Sequence, residues 1–112
     1  MEHKMKLKEK PYNQINNGTK TIELRLYDEK RQKIRVNDII EFTNINTMEK
    51  LSVIVLDLYK YSSFEELYKN FDKTELGYDE REEASYKDME EYYSKDEQDK
   101  YGVLGIRIKK YN

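Results

Sequence analysis

In Gly18-Thr19-Lys20-Thr21-Ile22-Glu23-Leu24-Arg25-Leu26-Tyr27, polar and apolar side chains alternate with a period of two from Thr21 onward. Ile22, Leu24 and Leu26 fall on one side of an extended chain. Thr21, Glu23, Arg25 and Tyr27 fall on the other, which is the pattern of a strand with one face on a core. The strand follows a helix end. Pro11 suits the first turn of a short helix, because its missing N–H has no role there. Tyr12 and Ile15 lie three apart on one face. Asn16, Asn17 and Gly18 close the helix, with the glycine able to take the left-handed cap. Further upstream, Met5 and Leu7 alternate with lysines as a short first strand.

Downstream, residues 28–33 read as a charged loop, and Ile34 and Val36 as a brief extended piece. Asn37-Asp38 forms a tight turn in which Asn37 tolerates positive φ. Residues 39–43 read as a strand, 44–50 as a polar hairpin loop and 51–61 as a long strand. Val53-Ile54-Val55-Leu56 is apolar on both faces, so that strand belongs in the middle of the fold. Ser63 and Glu66 form a capping-box pair. Phe64, Leu67, Tyr68 and Phe71 follow at helical spacing. A break at Leu76-Gly77-Tyr78 precedes a second helix over 85–93, with Tyr86, Met89 and Tyr93 inward. Ser94 and Glu97 open a further short turn, and 103–110 is the last strand. Five to six strands and three to four short helices, not regularly interleaved, exclude a doubly wound parallel sheet. They point to an α+β fold: a small mixed β-barrel or curved sheet with flanking helices at its ends.

The chain has 112 residues and reads as one domain over 1–112. Charged residues make up 39%, but 21 basic and 23 acidic side chains nearly cancel, at net −2. No apolar run approaches the ~20 residues that span a bilayer, and the charged first ten residues do not resemble a secretory signal. A cytoplasmic protein without a membrane partner is expected. The absence of cysteine excludes disulfides, thiol catalysis and Cys-ligated zinc. The one histidine, His3, lies where the terminus is expected to fray, so neither a histidine triad nor a metal site is expected, and no cofactor. Residues 1–35 carry ten Lys/Arg against five Asp/Glu, whereas 79–100 carry four against ten. The last twelve residues are basic again, with three Lys/Arg and no acid. If the two basic ends lie side by side, they form a positive face for a phosphate-bearing partner. The near-neutral total argues against tight non-specific duplex binding.

Thr21, Glu23 and Arg25 share a face with their side-chain bases roughly 7 Å apart along the strand. Lys20 has the parity of the inward residues, but at the strand start it can curl around the helix end. Glu23 and Arg25 have a plain reading as a surface ion pair worth ~0–1 kcal/mol. They also have a reading as a polar pocket for a planar ligand. There Glu23 accepts from an amine or ring N–H, Arg25 reads a carbonyl or phosphate as a planar fork, and Lys20 meets a phosphate or polarises an oxygen.

Several stretches together resemble the ASCH domain, a PUA-like β-barrel family. They are Pro11-Tyr12 with Ile15, Gly18-x-Lys20-Thr21-Ile22-Glu23-x-Arg25, Asp38-Ile39-Ile40-x-Phe42, Ser63-Phe64-x-x-Leu67, and Gly102-Val103-x-Gly105-Ile106. The resemblance covers nearly the whole chain, and its most specific part is the stretch around Lys20. It implies a cleft for RNA, or for a small nucleotide or nucleoside, beside the first helix and second strand. One branch of the family hydrolyses the amide of acetylated cytidine with a lysine, a threonine three residues later and a downstream glutamate. Lys20 matches that lysine, but the threonine position is Glu23. Thr21 is adjacent to the lysine instead, and Glu80, Glu82 and Glu83 all lie where the glutamate would fall. Hydrolysis of N4-acetylcytidine would therefore rest on Lys20 with Thr21 or Glu23.

Eight of the 11 tyrosines lie between residues 59 and 101. Tyr68, Tyr86 and Tyr93 have helical core spacing. Tyr61, Tyr78 and Tyr101 lie at element ends, where they can rim a cleft and stack a base. If the acidic residues 79–91 border that cleft, they favour one nucleotide or nucleoside over a long strand. The expected ligand residues are thus Lys20, Thr21, Glu23, Arg25, Tyr61, Tyr78 and Tyr101, on a monomer or weak homodimer. Two further readings are the amidohydrolase and a protein-interaction domain using the acidic, tyrosine-rich region.

Overall fold

A computed structural model describes residues 1–111. Five strands form one mixed sheet in the order β1-β3-β4-β5-β2. They are β1 (Glu2–Leu7), β2 (Ile22–Leu26), β3 (Ile39–Asn44), β4 (Lys50–Tyr61) and β5 (Val103–Lys110). β1 runs parallel to β3, and the other pairs are antiparallel. Three short helices, α1 (Glu9–Asn17), α2 (Phe64–Tyr68) and α3 (Lys95–Tyr101), flank the sheet, with 3-10 turns at Arg31–Lys33 and Tyr86–Glu91. Among the described residues, no helix is long and apolar enough to cross a membrane.

β4 occupies the centre, as expected, although only Val53 and Val55 of its apolar stretch are fully buried. Residues 50–54 pair with β3 and residues 53–61 with β5, and the register slips between Val55 and Asp57. The extra residue there, Leu56, is 43% exposed. Such a bulge bends a strand and raises its twist, and the sheet curls into a half-barrel. The curl draws the two outermost strands together. Arg25, on β2, donates from Nη2 to the Lys6 carbonyl of β1 at 2.9 Å, and Lys30 Nζ donates to the Lys4 carbonyl at 3.0 Å. Side chains thus meet the carbonyls that β1 leaves open as an edge strand.

The curl creates two cores. The inner one gathers Met5, Ile40, Phe42, Val53, Val55 and Ile106 with Tyr12 and Ile15 of α1. The outer one lies behind β2, where Ile22, Leu24 and Leu26 meet Phe64 and Leu67 of α2. Glu23 and Arg25 are paired with Ile106 and Leu104, both inner-core residues. Cross-strand partners face the same way, so the polar face of β2 looks into the half-barrel and not into bulk water.

Four local expectations are corrected. His3 does not fray: it is 8% exposed within β1, with Nε2 2.8 Å from Asp38 Oδ2. Burial opposes the Asp38 charge, but hydrogen bonds from His3, the Arg35 amide and the chain's amino group hold its carboxyl below the usual range. Asp38 therefore accepts and His3 Nε2 donates. The extended piece at Ile34 and Val36 does not join the sheet; Ile34 plugs the inner core and Val36 is 47% exposed. The helix begun at Phe64 stops at Tyr68, where Lys69 and Asn70 turn back onto the Glu66 carbonyl. The helix expected over 85–93 is only a 3-10 turn, because Ser85 caps the Lys87 amide two residues on and no residue of the turn is fully buried.

Candidate functional site

A cleft of about 470 Å³ opens at the seam between β1 and β2. Lys20, Glu23 and Arg25 line it. Glu23 is buried, and each of its oxygens has its own cation. Oε1 lies 3.2 Å from Lys20 Nζ, and Oε2 lies 2.7 Å from Arg25 Nη2 and 2.8 Å from Arg25 Nε. The backbone positions this cluster. Gly18 takes the left-handed cap at φ 87°, and the amides of Thr19 and Lys20 both return to the Gln14 carbonyl. Lys20 leaves this turn and reaches Glu23 three residues on. Gly77 holds it in place: at φ +103°, a Cβ on Gly77 would stand 3.1 Å from the Lys20 Cδ.

Burial alone would raise the Glu23 pKa, but Lys20 and Arg25 together hold it at about 2. A carboxylate that acidic is a weak general base at neutral pH. Its role is to hold two cations in a fixed arrangement. Burial works against the Arg25 charge, but Glu23 and then the Tyr93 hydroxyl outweigh it and hold the guanidinium charged. One carboxylate against two cations leaves a net charge of +1 on the cluster. Among the described residues, Lys20 Nζ meets only Glu23. An ammonium has three N–H donors, so Lys20 presents unused ones to the cleft.

The opposite wall comes from a strap of chain after α2. Tyr68 and Tyr78 hydroxyls are 2.9 Å apart, and Tyr78 Oη lies 2.8 Å from Asp88 Oδ2. Burial, followed by the hydrogen bonds and the nearby Asp88 charge, pushes the Tyr78 hydroxyl well above its ordinary range. It stays protonated. Lys10 Nζ meets Glu82 at 3.2 Å across the mouth. Lys8 Nζ sits 3.4 Å from the Tyr92 hydroxyl and 5.0 Å from its ring centre. Thus one rim is basic (Lys6, Lys8, Lys10), and the strap adds acidic Glu82, Asp88 and Glu91.

Of the residues expected from sequence, the fold brings Lys20, Glu23, Arg25 and Tyr78 to one cleft. Thr21 is not among its lining residues; its hydroxyl is buried with no hydrogen-bond partner among the described residues, which leaves it badly placed as a nucleophile there. Tyr61 and Tyr101 also lie elsewhere. Tyr61 packs edge-on to Phe71 at 6.3 Å, and both tyrosines cover the outer core. Of the three downstream glutamates, Glu82 reaches the cleft, Glu80 borders a neighbouring depression, and Glu83 reaches neither. Tyr68 and Tyr93, read as core, do both jobs: they pack on the outer core and line the cleft. Asp88 and Tyr92 were missed. The lysines at every second position from Lys4 to Lys10 were the available signal for the basic rim.

A family model described as the ASCH domain matches residues 5–112. The crystal structure of hypothetical protein PH0355 superposes with TM-score 0.84 at 32% identity, covering 99% of this chain and 100% of that one. The solution structure of protein PF0455 from Pyrococcus furiosus gives TM-score 0.72 at 33% identity, covering 100% and 99%. A point mutant of an ASCH protein from Zymomonas mobilis shares the fold at TM-score 0.69 and 14% identity, covering 96% of this chain and 68% of that one. None of the curated proteins matches the sequence.

Proposed function

The chain belongs to the ASCH domain family, and from that premise we propose that its seam cleft binds one nucleobase with its sugar, as a free nucleoside or nucleotide or as a single unpaired unit of RNA. The observation that carries this reading is the buried Lys20–Glu23–Arg25 cluster, a net cation with unused donors at a cleft wall. A buried excess cation calls for an acceptor oxygen or nitrogen, and the polar edge of a base supplies one. Tyr68, Tyr78, Tyr92 and Tyr93 give the cleft aromatic surface against which a flat heterocycle can pack. A volume of about 470 Å³ suits a small organic ligand. The acidic strap repels a continuous phosphate backbone, which favours a monomer or one splayed unit over a long strand.

The test is calorimetric titration with nucleosides, nucleotides and short RNAs. Lys20→Ala keeps Glu23 paired with Arg25, so the variant is expected to fold. It should lose about tenfold or more in affinity, the scale of a hydrogen bond to a charged donor. Equal binding by the folded variant and the wild type would remove the cluster from the ligand site.

A further inference from the structure

Two groups of side chains in the cleft have fixed hydrogen-bond directions, and the two groups differ. On the cluster side, Lys20 and Arg25 offer only donors, since neither side chain has an acceptor atom. On the strap, the Tyr68, Tyr78 and Asp88 group is the reverse. Tyr78 has one hydroxyl proton, and its acceptors are Asp88 Oδ2 at 2.8 Å and the Ser85 carbonyl at 3.1 Å. The carboxylate is the nearer and stronger acceptor. Tyr78 spends its proton there, so Tyr68 donates in the 2.9 Å contact between the two hydroxyls. With both phenolic protons committed, Tyr68 and Tyr78 turn only lone pairs outward. Asp88 Oδ1 has no hydrogen-bond partner among the described residues. Tyr68, Tyr78 and Asp88 together thus form an acceptor patch on the strap, set by a three-group chain that ends on Asp88.

We infer that the cleft selects bases bearing an exocyclic amine over their oxo counterparts, with Asp88, oriented by Tyr78 and Tyr68, as the specificity-determining residue. This rests on the reading of the cleft as a base site. Cytosine and uracil make the cleanest contrast, because they have the same shape. Cytosine offers an acceptor ring nitrogen to the donors and an amine to Asp88. Uracil offers an N–H to the donors and an oxygen to the carboxylate, so both contacts turn repulsive. Adenine and hypoxanthine differ in the same sense. Asp88 is exposed to water at the cleft. A base that covers it takes that water away, and a group then left facing its own kind has neither water nor partner, which is why such sites reject the mismatched analogue.

The experiment is a titration of the protein with cytidine, uridine, adenosine and inosine, repeated with Asp88→Asn and Tyr78→Phe. The wild type should bind cytidine over uridine, and adenosine over inosine, by about tenfold or more. Asp88→Asn can donate its own amide N–H and should erase or invert both preferences. Tyr78→Phe keeps the carboxylate but loses its orientation, and should reduce them. Equal wild-type affinities within each pair, or preferences unchanged in Asp88→Asn, would overturn the inference while leaving a base site in place. Binding of none of the four, and of no nucleotide or short RNA either, would instead remove the base site and the inference with it.

Discussion

Glu23 is a carboxylate with almost no water and two cations, and its behaviour sets the chemistry of the cleft. Its pKa of about 2, against an ordinary 4.5, means that ionised Glu23 stabilises the folded chain at all pH values above 4.5. That contribution declines as pH falls from 4.5 towards 2 and is gone below. Glu23→Gln leaves Lys20 and Arg25 unneutralised, at a cost of about 3 kcal/mol at pH 7. Urea denaturation checks this: the gap between variant and wild type should be large at neutral pH and shrink as the pH drops below the ordinary carboxylate range. A gap independent of pH would mean that the carboxylate charge is not what holds the cluster. Gly77 acts on the same site through shape. Gly77→Ala places a methyl 3.1 Å from both the Lys20 Cδ and the Gln14 Oε1, at a φ of +103°. It should cost about 1–2 kcal/mol and weaken nucleoside binding, because Lys20 must shift; urea unfolding reads the first and calorimetry on the folded variant the second. The charged trio was legible from its spacing, but its burial was not. Alternation shows that β2 has two faces, and only the curl of the whole sheet decides that the polar one is inside.

Short elements here stand on their caps more than on their length. Ser94 and Glu97 form a reciprocal capping box at the start of α3. Ser94→Ala should lower stability by about 1 kcal/mol, measured by thermal or urea unfolding, with Ser94→Gly costing less. That box was readable from four residues, as was the glycine cap of α1, because both depend on local backbone chemistry. The ends of α2 and the turn at Tyr86–Glu91 were not readable from helical spacing. Tyr86, Met89 and Tyr93 do pack on the outer core at that spacing. Yet all three stay partly exposed, and the chain between them takes the tighter 3-10 path. Partial burial of an aromatic can be met by several backbone shapes, so the pattern decides which side chains face inward but not the helix type.

At the scale of the whole molecule, the site exists because a sheet that nearly closes leaves one seam open. The five strands and the central place of β4 followed from runs of apolar residues. The closure did not. It depends on the bulge at Leu56 and on Arg25 and Lys30 reaching the carbonyls of β1, contacts between residues 19 and 26 positions apart. The same closure sets the tyrosine-rich, acidic strap opposite lysines far upstream, as in the Lys10–Glu82 bridge between residues 72 positions apart. No local pattern records such a pairing. NMR reads out whether this seam receives a base on the Lys20–Glu23–Arg25 cluster. The measurement is a titration of ¹⁵N-labelled protein with cytidine, following the Arg25 Nε–H signal and the backbone amides of Lys20, Gly77 and Asp88. Saturable shifts of these resonances together are the result predicted. A titration that moves resonances only on other faces of the protein would contradict it.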